Sequence, residues 1–321
     1  MVGENIMNGD KVAVVLATYN SEKYIDQLLQ SLVEQTYDEF ICYIHDDESR
    51  DNTKVIINDY KLKYPEKFKI LEYDKCGSAK KNFMSMLKYV KENYVMFCDH
   101  DDVWNRKKIE CTLSRMKKIE TDNANTGILV FSDMQVVDEN LNIISDSFMR
   151  YTGLNPYNTK LQQLLIQNVV PGCTSMINKK LKEDVMKCER TEYIRMHDQW
   201  CALVASVTGI ISFIDKPLLK YRQHGDNVKG ADSKKNIIRR CTNVIFKIID
   251  RHFFAELKEW HNMMQLQALE LSKLPDIGEE SRKLCVEFYE LRNKGKLQRI
   301  KFYLKNDIHR ERDNWWFLIC C

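Results

Sequence analysis

No run of apolar residues in this chain is long enough to cross a bilayer, which excludes a helical membrane-spanning protein as its reading. No Cys-x-x-Cys pair and no Cys/His cluster with zinc-ligand spacing occurs, although there are 11 cysteines. Apart from the adjacent Cys320 and Cys321 they are scattered singly, several inside apolar runs as at Cys42, Cys98 and Cys201, which argues against both a disulfide scaffold and a structural zinc site. An excess of one charge is missing as well: 49 Lys and Arg stand against 46 Asp and Glu, a net charge of +3 that makes no case for nucleic acid. Internal repeats and low-complexity linkers are absent, and no secretory signal precedes Lys11, so the reducing cytoplasm is the expected compartment.

What remains is an ordinary globular composition, 44% hydrophobic and 30% charged over 321 residues, sufficient for one large domain plus an appendage. Val12–Ala17 is a continuous β-prone run suited to a strand buried on both faces. Ser21 then offers a cap for a helix whose apolar face carries Ile25, Leu28, Leu29, Leu32 and Val33. Phe40–Ile44 reads as the next strand, followed by a polar loop and a helix from about Thr53 to Lys63. Phe68–Tyr73 and Tyr94–Cys98 are further strands, separated by a helix striped with Phe83, Leu87 and Val90. Past Lys107, Ile109, Leu113 and Met116 mark a helix and Ile128–Phe131 a strand. Met134–Val137 and Leu141–Ile144 form a hairpin, and Ile210–Ile214 and Pro217–Tyr221 close the region. This alternation predicts a three-layer α/β/α unit with a mainly parallel sheet over residues 1–230. Residues 231–321 turn helical and basic, a separate appendage.

Ligands of an open parallel sheet gather at the carboxyl ends of its strands, and polar residues cluster there. Thr18, Tyr19 and Asn20 follow the first strand; His45, Asp46, Asp47, Ser49, Asp51 and Thr53 follow the second; Asp99, His100, Asp101 and Asp102 follow Cys98. Read alone, Asp46-Asp-Glu-Ser49 equally fits a solvated turn with Asp51 or Asn52 capping the next helix. Three carboxylates in four positions after Cys98 repel one another unless a cation or solvent relieves them, and hard oxygen ligands suit magnesium or manganese.

Together the motifs resemble the family 2 glycosyltransferases, which have the A-type glycosyltransferase fold. The resemblance covers about Val12 to Gly230 and rests on Ala17-Thr-Tyr-Asn20, the Asp46 to Thr53 stretch, Gly77 through Asn82, and Asp99-His-Asp-Asp-Val-Trp104. Val170-Pro-Gly-Cys-Thr174, His197-Asp-Gln-Trp200 and Tyr221-Arg-Gln-His-Gly225 complete it, the last two being similar to the rhamnosyltransferase-like branch. The resemblance implies a metal-dependent, inverting transfer of a sugar from a nucleotide-sugar donor to a glycan or lipid-linked acceptor in cell-surface polysaccharide synthesis. The implied donor is dTDP-rhamnose first and a UDP-hexose second, with Mn2+ or Mg2+ as cofactor.

It also implies roles. Asp47 is similar to the aspartate that reads the imide of a uracil or thymine base, with Ala17 and Tyr19 in the nucleotide pocket. Asp99 resembles a ribose or metal-water contact, Asp101 the direct metal ligand, His224 a further metal or diphosphate contact, and Asp198 the catalytic base. Arg222 or Lys81 would help neutralise phosphate. Plainer roles compete at several positions: a turn for Gly77 and Asn82, orientation for His197, helix capping for Asp198, and packing for Trp104 and Trp200. The family's Gln-x-x-Arg-Trp motif of processive synthases is absent. A sugar nucleotidyltransferase would carry a glycine-rich basic loop after the first strand, where Ala17–Glu22 has neither glycine nor basic residues. A non-catalytic scaffold of the same fold would have no need of Asp47, Asp101 and Asp198. Basic residues among Ile237, Val244, Ile245 and Ile248, and the aromatic cluster Trp315–Ile319, suggest contact with the inner face of a membrane.

Overall fold

The structure, a computed structural model, describes residues 10–225 and 251–310. The first unit runs β1 (Val12–Thr18), α1 (Ile25–Val33), β2 (Phe40–Asp46), α2 (Thr53–Lys63), β3 (Phe68–Ile70), α3 (Ala79–Met86) and β4 (Tyr94–Cys98). A short β5 (Val103–Trp104) leads into α4 (Lys108–Asp122), then the long β6 (Gly127–Val137), β7 (Ile143–Ser145), α5 (Phe148–Thr152) and α6 (Leu161–Leu164). β8 (Ser175–Asn178), α7 (Lys179–Val185), α8 (His197–Thr208) and β9 (Gly209–Arg222) complete the α/β part. Three helices follow, α9 (Arg251–Ser272), α10 (Glu279–Glu290) and α11 (Lys296–Lys305).

The strands form one sheet in the order β3-β2-β1-β4-β8-β6-β9-β5, with β7 paired to β6. The half built from β3, β2, β1 and β4 is parallel throughout. Beyond it β8 is antiparallel to both β4 and β6, while β6 and β9 run parallel. The continuous apolar run of β1 has a direct physical cause: Ala13, Val15 and Ala17 enter one core, and Val12, Val14 and Leu16 enter the other. Each face of the sheet is therefore covered by helices, α1, α2 and α4 on one side and α3, α6, α7 and α8 on the other. This is the expected three-layer architecture.

Several local expectations change. Ser21 does not cap α1; its carbonyl accepts from Tyr24 and Ile25 N–H, its hydroxyl accepts from Tyr19 N–H, and the helix starts at Ile25 without a side-chain cap. Asn52 precedes α2 without a side-chain cap bond, while Asp51 Oδ1 accepts from Thr53 N–H at 3.0 Å. The two strand segments at 210–214 and 217–221 are one strand with a register shift beside Ile214, which lets β9 span both β6 and β5. Trp104 and Trp200 are packing residues, 3% and 0% exposed.

The helices after residue 250 share a core with the α/β part. Met264, Ala268 and Leu271 of α9 join the cluster that holds Trp200 and Leu203. Glu270 accepts from Glu189 and Arg190 N–H, and Gln267 accepts from Arg195 N–H at 2.9 Å. The anticipated boundary at 230/231 and the residues suggested for membrane contact, Ile237 to Ile248 and Trp315–Ile319, fall outside the described residues. Among the described residues no helix is long and apolar enough to cross a membrane.

Candidate active site

A cavity of about 340 Å³ opens at the carboxyl ends of β1 and β4, lined by Ala17, Asp99, Asp101, Gly172, His197 and Asp198 among others. Four of the expected site residues, Ala17, Asp99, Asp101 and Asp198, thus converge from segments up to 181 positions apart. His224 joins them through Asp101, its Nε2 lying 2.9 Å from Asp101 Oδ2.

The acidic loop after β4 is under electrostatic tension. Burial, followed by the charges of Asp101 and Asp198, pushes the Asp99 carboxyl up to about 7. Asp102 is fully buried, and neither of its carboxylate oxygens has a hydrogen-bond partner. Burial first, then Asp101 and Asp99, drives it well above the usual carboxylate range. Beneath them Lys108, also fully buried, lies 3.4 Å from the Trp104 ring centroid and donates to the Cys173 carbonyl. Desolvation brings its amine down to about 8. Asp99, Asp102 and Cys173 have ligand atoms within 4.8 Å of one another. Carboxylates crowded this way, open to a cavity on one side, fit a hard divalent cation in their donor chemistry.

Asp198 is the second residue of α8 and is not its N-cap, a position held by Met196 with no side-chain cap bond. One oxygen accepts from Gln199 N–H at 2.7 Å and the other from Asn168 Nδ2 at 3.1 Å, and these bonds aim the carboxylate into the cavity wall. His197 packs between Phe83 and Phe97, with centroids 4.1 and 4.9 Å away. Burial holds its imidazole down to about 4, so it is neutral. Gly172 is required here, because a Cβ would come within 2.8 Å of His197 Nε2.

The loop after β2 is satisfied internally. Asp46 accepts from Thr18 Oγ1, Ser49 N–H and Ser49 Oγ, and lies 3.6 Å from Lys54 Nζ. Asp47 accepts from Cys76 and Gly77 N–H, and Gly77 makes the approach with a left-handed φ of +71°. Asp47 N–H donates to the Thr18 carbonyl, so this carboxylate sits beside the end of β1, where the Tyr19 ring is 47% exposed with Lys75 Nζ 5.6 Å away.

Two expected phosphate contacts are placed differently. Arg222 is 2% exposed, donating from Nε to the Asp101 carbonyl and from its other nitrogens to the Glu139 carbonyl and Gln27 Oε1. These bonds make it a brace under the acidic loop, and it is not among the residues lining the cavity. Lys81 is exposed on the first turn of α3, outside the cavity lining, while neighbouring Lys80 donates to the Ile194 carbonyl. Sequence reasoning missed Asn168, which orients Asp198, and Lys108, which underlies Asp99 and Asp102. Lys108 lies six positions after Asp102, directly after the basic pair Arg106 and Lys107, and nothing local distinguishes it from a surface lysine.

The sequence profile of the family described as Glycosyl transferase family 2 matches residues 13–185. The dTDP-rhamnosyl transferase RfbG of Shigella flexneri is 30% identical over 227 residues, covering 68% of this chain and 74% of the relative. The UDP-Glc:alpha-D-GlcNAc-diphosphoundecaprenol beta-1,3-glucosyltransferase WfgD of Escherichia coli is 31% identical over 109 residues, 33% of this chain and 41% of that one. Among solved structures, S. aureus TarS in complex with UDP superposes with a TM-score of 0.51 at 21% identity, covering 92% of this chain and 75% of that one.

Proposed function

The chain belongs to glycosyl transferase family 2, and from that premise we propose that it is an inverting, metal-dependent glycosyltransferase of cell-surface polysaccharide synthesis. The observation that carries the reading is the convergence of Asp99, Asp101 and Asp198 on one cavity at the carboxyl edge of the sheet. The donor is a nucleotide sugar, dTDP-rhamnose first on the likeness to RfbG and a UDP-hexose second on the likeness to WfgD. The acceptor is a glycan or a lipid-linked glycan. Residues 1–230 form the catalytic unit and the later helices its support.

The base binds beside Asp47, Ala17 and Tyr19, with the Asp47 carboxylate accepting from the imide N–H. Asp99 and Asp101, with His224 against Asp101, would hold Mn2+ or Mg2+. When bound, the cation supplies positive charge for the departing nucleoside diphosphate. Asp198 accepts the proton of the acceptor hydroxyl as that oxygen attacks the anomeric carbon from the side opposite the leaving group. One base suffices, because a single displacement forms no covalent intermediate. Asn168 keeps the carboxylate fixed, and neutral His197 beside it neither competes for the proton nor adds a charge.

A thermal-shift screen across nucleotide sugars with and without Mn2+ tests this directly. A donor at a hundred times its dissociation constant stabilises the folded state by about 2.7 kcal/mol, and dTDP-rhamnose with Mn2+ is expected to give the largest rise. A panel in which no nucleotide sugar shifts melting would sink the reading.

A further inference from the structure

The segment between β7 and α6 shapes a second cavity beside the first. Its volume is about 380 Å³, and Arg150, Leu154, Tyr157, Phe213 and Asp215 are among its lining residues. Leu154 lines both cavities, and Phe148 lines the first while its neighbours Ser147 and Met149 line the second, so the two share one wall. That wall is firmly built. Asp133 Oδ1 accepts from Met134, Phe148 and Met149 N–H, and its Oδ2 accepts from Ser147 Oγ, which pins the start of α5 to β6. Past α5, Gly153 turns the chain with a left-handed φ of +69°, and Asn155 Oδ1 accepts from Tyr157 N–H at 3.0 Å.

Three side chains of this cavity point to a ligand. The Tyr157 ring is 70% exposed although its loop is held in place, and Phe213 meets it edge-on, with centroids 5.8 Å apart and planes at 86°. A large apolar ring is thus left uncovered on a fixed segment. Asp215 reaches the cavity because β9 bulges. Ser132 and Asp133 are adjacent in β6 yet pair with Ile214 and Pro217, which leaves Asp215 and Lys216 outside the ladder. Bulges re-aim side chains in this way and are over-represented next to active sites. Arg150 lines the same cavity, and among the described residues neither its guanidinium nor the Asp215 carboxylate has a hydrogen-bond or ion-pair partner.

We propose that this second cavity is a subsite for a glycan acceptor, holding the sugar residue next to the one that receives the transfer. A pyranose ring has a face of C–H groups and a rim of hydroxyls. The Tyr157 ring covers the face, while the Arg150 guanidinium donates to hydroxyl oxygens and the Asp215 carboxylate accepts from hydroxyl protons. Sites for small ligands combine apolar walls with a few placed polar groups in the same manner. A phosphate would meet the Asp215 carboxylate, and an alkyl chain would desolvate two charges, so neither fits as well. The wall shared at Leu154 sets successive residues of one glycan in the two cavities. The acceptor is then an oligosaccharide and not a single sugar or a simple alcohol. Placing the reacting sugar in the first cavity rests on the transferase reading, whereas the affinity of the second for a sugar does not.

Titration of the full chain with sugar fragments, followed by saturation-transfer NMR without donor, tests the subsite separately from catalysis. The probes are fragments of one, two and three residues from partial hydrolysis of the surface polysaccharide of the cell that makes the protein. The wild type is expected to bind the two-residue fragment about tenfold more tightly than one residue, near the upper end of what one aromatic contact contributes. Tyr157→Ala should lose most of that advantage while keeping its melting temperature, its one-residue affinity and its melting shift with dTDP-rhamnose and Mn2+. Tyr157→Phe retains the ring and should retain the advantage. Equal affinity for one and two residues in the wild type, an unchanged advantage in Tyr157→Ala, or no binding of any fragment overturns the subsite. A protein that shows the Tyr157-dependent advantage but never binds a nucleotide sugar supports the glycan site while counting against the transferase reading.

Discussion

Two acidic loops follow two neighbouring parallel strands, and they have opposite characters. After β2, the Asp46 carboxylate is closed by two hydroxyls and a backbone N–H, and Asp47 by two backbone N–H groups. After β4, Asp102 has no partner on either oxygen, and Asp99 is pushed up to about 7 by burial and by its neighbours' charges. The motif Asp-Asp looks alike in both places, yet hydrogen-bond donors close both carboxylates of the first loop, while in the second His224 meets Asp101 and the Asp102 oxygens are left without a partner. A carboxylate that has donors builds the loop it sits in. One that lacks them is destabilised by burial and by its neighbours' charges, and in the proposed mechanism it is this second loop that would take the cation.

The contrast is broken most severely at Asp101. Asp101→Ala is expected to lower transfer by at least about a thousandfold, the equivalent of roughly 4 kcal/mol of lost transition-state charge stabilisation. Its circular-dichroism melt should remain cooperative. Steady-state transfer with saturating Mn2+ checks this, and near-normal rates would remove the cation from the mechanism.

Asp198→Asn follows, with a loss of about a hundredfold in turnover, the lower range for general-base catalysis. The Gln199 N–H still finds an acceptor in the asparagine, but the new amide nitrogen meets Asn168 Nδ2. Stability should therefore fall by only about 1 kcal/mol. Product analysis should show an anomeric configuration opposite to the donor's; retention would overturn the single displacement.

A smaller effect sharpens the comparison through pH. The folded value of Asp99, about 7, lies above its ordinary 3.8, so the folded state holds this proton more tightly than the unfolded chain does. Its contribution to stability is thus present at low pH and is lost as pH rises from about 4 to 7. Denaturant titrations in chelator should show that decline, and Asp99→Asn should flatten it. Mn2+ should stabilise the wild type more at pH 8 than at pH 5. The smallest effect belongs to the satisfied loop: Asp46→Ala should cost about 1–3 kcal/mol by stranding its donors, with no change in the dependence on Mn2+.

Much of this architecture is legible in local pattern. The helix at Thr53–Lys63 and the strand at Tyr94–Cys98 occur where periodicity and the apolar run place them. The polar clusters after β1, β2 and β4 follow from the rule that ligands gather at strand ends. The remainder depends on contacts between distant segments, which no local window contains. Arg222 reads as a phosphate ligand until its partners Gln27, Asp101 and Glu139 are placed around it. Val103–Trp104 carries no strand signal of its own and becomes one only when β9 arrives from more than a hundred residues away to pair with it. Helix capping competes with the catalytic reading of Asp198 until α8 is seen to begin one residue earlier.

The most direct test of the central contrast is Mn2+ binding by calorimetry in the presence of UDP, comparing the wild type, Asp101→Ala and Asp46→Ala. The account predicts one tight Mn2+ in the wild type, its loss in Asp101→Ala and its retention in Asp46→Ala. Undiminished binding by Asp101→Ala, or loss in Asp46→Ala alone, would contradict it.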